Sequence, residues 1–206
     1  MRSLLSQDPE TWDAGVDRHA RRLTALGSAE AYVEALDRAG WLRGHDGPAR
    51  AAVLAAVQEA WTRTPRRLYV YAALEDVAFE TSEFAAEGSY ARLLEELSEA
   101  SRHAFAPTGI EETRSALGED EPGATVTVSF EHGGARYVCE LTQRDEWCMN
   151  EPLELVEEAL TAAGVTARFL VLPTQGDGTL RAAFVDPAAF EAAVNDGLVP
   201  NAAVVM

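Results

Sequence analysis

From Pro122 to Asp196, apolar residues recur first at every second position and later at every third or fourth. In ATVTVSFE, Ala124 to Glu131, Val126, Val128 and Phe130 alternate with Thr125, Thr127 and Ser129, which predicts a half-buried strand. His132-Gly133-Gly134 supplies a tight turn, because glycine reaches the positive φ that strand-matching hairpins need. RYVCELTQ, Arg136 to Gln143, then repeats the alternation through Tyr137, Cys139 and Leu141. After a polar break the spacing changes. Asn150 is placed to cap a helix in which Leu153, Val156 and Leu160 form a stripe and Glu154, Glu157 and Glu158 face water. Gly164 stops it. TARFLVL (from Thr166) and TLRAAFV (from Thr179) predict two more strands around a Pro/Gly turn. Asp186-Pro187 starts a last short helix that ends at Gly197. Leu198 to Met206 are apolar enough to pack down, and an edge strand is one option for them.

The first half reads differently. Asp8-Pro9 opens a helix carrying Trp12, Val16, His19, Leu23 and Leu26 on one face. Ser28 caps a second, with Tyr32, Val33 and Leu36 inward, and Ala49 to Trp61 forms a third. LYVYAALEDVAF fits either a buried strand over Leu68–Ala72 or a helix through Phe79, because a short apolar run does not separate the two. Ser89 is expected to cap a helix with Tyr90, Leu93, Leu94 and Leu97 inward. Residues 106–123 hold two prolines, three glycines and the run Glu119-Asp120-Glu121, and read as a linker.

The expected fold is α+β, with a helical N-terminal half packed on a C-terminal four-stranded antiparallel sheet in the order ββαββα. Residues 1–110 form the mainly helical region and 111–206 the ββαββα region, and the length suits either one compact domain or two small ones.

Charge adds a bias that the pattern lacks. The 206 residues carry 34 acidic and 17 basic side chains, a net of −17, and every basic one is arginine. Residues 1–110 hold 12 Arg and 17 Asp+Glu, a net of −5; residues 111–206 hold 5 and 17, a net of −12. Such a surface disfavours nucleic acid and anionic membranes and favours a basic protein partner, although solubility alone also explains it. There is no apolar run of membrane-spanning length, and MRSLLSQDPETW has no apolar core of a secretory signal, so a cytoplasmic location is expected. Cys139 and Cys148 are too few for a disulfide framework.

Catalytic signatures are missing from the sequence: no phosphate loop, no GxSxG and no GxGxxG. His19, His45, His103 and His132 are scattered without metal-ligand spacing, so no metal, cofactor or catalytic residue is assigned. Cys148, close before a helix start, is a nucleophile only if the helix dipole activates it and His132 approaches; an inert thiol is the better reading. The loop RDEWCMN places Trp147 and Met149 beside Asp145 and Glu146, an apolar anchor ringed by charge, which suits partner binding or core packing. A second candidate is an apolar pocket between the helical half and the sheet, built from Tyr69, Tyr71, Tyr137 and Arg168.

The passages VSFEHGGARYVCELTQRDEW and EPLELVEEALTAAGVTARFLVL resemble small uncharacterised bacterial proteins. Some of these occur as cytoplasmic immunity proteins in polymorphic-toxin neighbourhoods. The resemblance spans about the last third of the chain. It implies a non-catalytic interaction protein that blocks a toxin, and it carries over no defined residue. An enzyme or small-ligand binder using the pocket is the alternative expectation.

Overall fold

A computed structural model describes residues 9–63, 69–80, 87–116, 123–143, 150–172 and 179–200. The described chain is α+β, and it divides into two compact units. The first comprises Met1–Asp76, Phe169–Gln175 and Arg181–Val205; the second comprises Val77–Arg168 and Gly176–Leu180, together with Met206.

The first unit begins with α1 (Pro9–Leu26), α2 (Ala29–Arg38) and α3 (Gly47–Arg63). Ser28 caps α2 as expected, its hydroxyl accepting from the Ala31 amide. The ambiguous run after α3 is neither of the predicted forms. Val70–Leu74 is a single 3-10 turn, and the strand β1 (Val77–Glu80) comes later. Tyr71 and Leu74 are buried on that turn, so an apolar cluster that looked like strand or helix is satisfied by one tight turn. Near the C-terminus, Asp186 and Pro187 start α6 (Pro187–Asn195), with the Asp186 carboxylate accepting from the Ala188 amide. The unit's core joins Leu23, Tyr32, Leu36, Trp41, Leu42 and Val57 of the helical segment to Leu170, Ala183, Val185, Phe190, Leu198 and Val199. The segment after α6 is not an edge strand up to Pro200, and residues 201–206 lie outside the described residues. Two buried side chains hold it. The His19 Nδ1–H donates to the Gly197 carbonyl at 2.9 Å, and the Tyr32 hydroxyl donates to the Leu198 carbonyl at 2.8 Å.

The second unit contains α4 (Ser89–Ala100), β2 (Thr108–Ala116), β3 (Ala124–His132), β4 (Ala135–Gln143) and α5 (Asn150–Ala162). The hairpin between β3 and β4 forms as predicted. Gly133 and Gly134 have φ of 59° and 82°, the double positive of a type I′ turn, and His132 pairs with Ala135. The expected linker is half strand: β2 pairs antiparallel with β3 over most of its length, after an irregularity between Thr108 and Glu111.

The four-stranded ββαββα sheet is therefore corrected. The strands form two three-stranded antiparallel sheets, ordered β1-β6-β5 and β2-β3-β4, where β5 is Arg168–Val171 and β6 is Thr179–Val185. The two predicted strand pairs exist, but each takes its third strand from elsewhere in the chain. Helices also lie in both halves of the sequence. Among the described residues no helix is long and apolar enough to cross a membrane.

Candidate functional site

The β2-β3-β4 sheet has two chemically different faces, and the register assigns every side chain to one of them. Residues directly opposite across an antiparallel pair share a face. Val126 stands opposite Arg114 and Leu141, Val128 opposite Glu112 and Cys139, and Phe130 opposite Tyr137. This is the covered face. Val126, Val128, Phe130, Tyr137 and Leu141 are buried, α4 packs on β2, and α5 packs on β4. Phe130 stacks on Tyr137 with ring centroids 5.3 Å apart and meets Phe105 edge-on at 5.3 Å.

Glu112 anchors α4 to this face. Its side chain is only 3% exposed. One carboxylate oxygen accepts from the Gly88 amide at 3.0 Å and from Arg114 Nε at 2.9 Å; the other accepts from the Tyr90 and Ala91 amides at 3.0 and 3.2 Å. The helix was expected to be capped by Ser89. Instead Gly88, at φ 81°, occupies the capping position with no side chain, and a carboxylate from a neighbouring strand satisfies the free N–H groups. Nothing local in the sequence signals this, because the partners are 21 to 24 residues apart.

The opposite face reads as rows across the three strands: Thr108, Glu131, Arg136; then Glu111, Ser129, Val138; then Thr113, Thr127, Glu140; then Ser115, Thr125, Thr142. Hydroxyls dominate it. Val138 is 53% exposed on this face; Tyr69, in the first unit, is the other large apolar residue exposed among those described. The Arg136 guanidinium lies over the second row, donating to the Glu111 carboxylate at 3.0 Å and to the Ser129 hydroxyl at 3.2 Å. Among the described residues the side chains of Glu131 and Glu140 make no hydrogen bond or ion pair.

Other ionisable groups are used to hold backbone. His132 accepts from the Ala106 amide through Nδ1 at 3.3 Å and packs on Phe105, so the hairpin end is pinned to the chain after α4. His103 Nδ1 lies 3.3 Å from the Ser98 hydroxyl, a nucleophile–base spacing in form. The contact is a helix stop: the His103 amide also donates to the Ser98 carbonyl, and Arg102 and His103 both adopt left-handed φ. Burial pushes the Cys139 thiol up, with the Glu151 carboxylate adding to the effect, so this cysteine is a poor nucleophile. Among the described residues there is no cluster of three or more potential metal ligands.

The residues singled out from sequence fall as follows. Asp145, Glu146, Trp147, Cys148 and Met149 lie outside the described residues. Tyr69 and Tyr71 belong to the first unit, with ring centroids 6.4 Å apart; Tyr69 is 44% exposed and Tyr71 is buried. Tyr137 and Arg168 belong to the second. Tyr137 is part of the aromatic stack, and Arg168 donates to the Val165 and Ala167 carbonyls and to the Thr161 hydroxyl, closing the end of α5. Sequence reasoning missed Glu112, Glu111 and Arg136. The strand alternation of ATVTVSFE already separated the two faces, but the third strand that completes the grid had no apolar alternation to reveal it.

No protein-family profile, curated protein or solved structure matches the chain.

Proposed function

We propose that this chain is a non-catalytic interaction protein that docks a basic protein through the acidic surface of its second unit, in the manner of an immunity protein. One observation carries the reading. The second unit holds 20 acidic residues against 6 arginines, a net of −14, whereas the first holds 14 against 11, a net of −3. The two sum to the whole-chain −17. Charge concentrated in one folded unit creates a directed field that steers a cationic partner and rejects polyanions. The side chains that chemistry would need support the same view, since His132, Glu112 and Arg168 are committed to backbone contacts. On this reading the chain works without cofactor or metal, and nucleic acid is not its ligand.

The test is a partner capture followed by measurement on purified components. Tagged protein recovers its partner from native lysate, and the purified pair is then titrated at about 50 mM and about 300 mM salt. A basic protein whose Kd rises steeply with salt is the expected result. An acidic partner, or a Kd indifferent to salt, would refute the electrostatic reading.

A further inference from the structure

We propose that the open face of the β2-β3-β4 sheet is the docking surface, and that its occupant is an extended basic segment with two cationic side chains flanking a small apolar one. The inference rests on the acidic-unit reading above and locates it on one face.

Three observations choose the occupant. The first is charge. A second copy of the chain would set one net −14 unit against another, and like-charge juxtaposition disfavours that pairing. Glu131 and Glu140 are exposed carboxylates with no side-chain partner among the described residues. A cation is the natural complement.

The second is spacing. Glu131 stands opposite Arg136, and Glu140 lies four residues further along β4. At strand rise and strand separation, the two carboxylates are about 14 Å apart, with Val138 midway along β4. An extended segment presents alternate side chains on one face, so residues i and i+4 also span about 14 Å, with i+2 between them. The complement of Glu131, Val138 and Glu140 is thus cation, spacer, apolar, spacer, cation. Around these sites the face carries Thr113 and Thr127, with the Arg136 guanidinium held against Glu111 and Ser129.

The third is footprint. Four rows on three strands cover about 400 Å², half of what one partner gives to a standard protein interface. That area suits a single extended segment or ribbon and is too small for a stable globular face alone.

The experiment uses the full chain, 15N-labelled, and two acetylated and amidated peptides of the same composition. One is Gly-Arg-Thr-Val-Thr-Arg-Gly, with both arginines and the valine on one side when extended. The other, Gly-Thr-Arg-Arg-Val-Thr-Gly, has adjacent arginines on opposite sides. Amide shifts are followed during titration at low salt. The expected result is movement at Glu111, Glu131, Val138 and Glu140, with the patterned peptide binding about threefold or more tightly, as two exposed ion pairs warrant. The Glu131→Gln/Glu140→Gln variant should abolish the difference, while Glu95→Gln/Glu99→Gln on α4 should leave it. Equal binding of both peptides, or shifts centred on α4 or α5, overturns the proposal. So does an Glu131→Gln/Glu140→Gln variant that retains the preference. The acidic-unit reading fails separately, in the salt titration of the purified partner. A salt-sensitive partner whose affinity is untouched by Glu131→Gln/Glu140→Gln sinks the face and leaves that reading standing.

Discussion

Replacing Glu112 by alanine should unfasten α4 from the sheet. The carboxylate accepts from three backbone amides and one guanidinium, all within 3.2 Å, and its side chain is 3% exposed. A hydrogen bond to a charged group contributes about 1.5–3 kcal/mol, but four that share one carboxylate do not add, and the Gly88 amide at the exposed helix start regains water. Removing one partner of a buried ion pair costs about 3–5 kcal/mol. Arg114 is 18% exposed, so its guanidinium is partly rehydrated and the lower end applies. Glu112→Ala is therefore expected to cost about 3 kcal/mol. Glu112→Gln keeps the shape and one acceptor oxygen but loses the charge facing the helix dipole, and about 2 kcal/mol is expected. Arg114→Ala leaves the three amide bonds intact and should cost about 1 kcal/mol. Urea unfolding gives the totals, and hydrogen exchange at the Tyr90 and Ala91 amides reports the cap directly. In a double-mutant cycle the two alanine changes should cost less together than their sum, because both remove the same Glu112–Arg114 contact. The reasoning fails if Glu112→Ala costs under about 1 kcal/mol or leaves both amides as protected as before.

Burial holds the His19 imidazole below its ordinary value, with the bond to the Gly197 carbonyl opposing. The folded state then binds fewer protons than the unfolded one, so stability is complete above the unfolded pKa of about 6.5 and falls as pH drops below it. His19→Gln should flatten that fall, read as urea midpoints between about pH 8 and pH 5. Tyr32→Phe removes the buried hydroxyl that meets the Leu198 carbonyl and should cost about 1–3 kcal/mol in the same assay, by orphaning that carbonyl. Burial also pushes the Tyr32 phenol well above its ordinary value and the Tyr71 phenol up to about 12, so spectrophotometric titration should find at least one tyrosine that ionises only on alkaline unfolding. Phe130→Ala removes a ring from the stack between Phe105 and Tyr137 and should cost about 3–5 kcal/mol, whereas Val138→Thr on the open face should change stability by under about 0.5 kcal/mol. In a Cys148→Ser background, half-buried Cys139 should react more slowly with a thiol reagent in the native protein than after denaturation; equal rates would contradict its raised thiol pKa.

Local structure was legible wherever its cause was local. The alternation of Val126, Val128 and Phe130, the double glycine at 133–134, the Ser28 and Asp186 caps and the stripe of α4 each depend on residues a few positions apart, and each appears where the spacing placed it. The acidic excess is likewise a property of the chain alone. Tertiary structure decided what distance in sequence conceals. β2 could not be read as a strand because its covered side carries Glu112 and Arg114, where a period-two search looks for apolar residues. Under a helix those two satisfy each other, and Glu112 satisfies the free amides of α4, a compensation that exists after folding and not before it. Each predicted strand pair is equally good in one shared sheet or in two, since alternation fixes which face a strand buries and says nothing about its neighbour. The neighbour is chosen by long-range pairing, which gave the β3–β4 hairpin β2 as its third strand and the β5–β6 pair β1. The same pairing gathered scattered glutamates, threonines and Arg136 into one open face, so charge written along the chain became a surface.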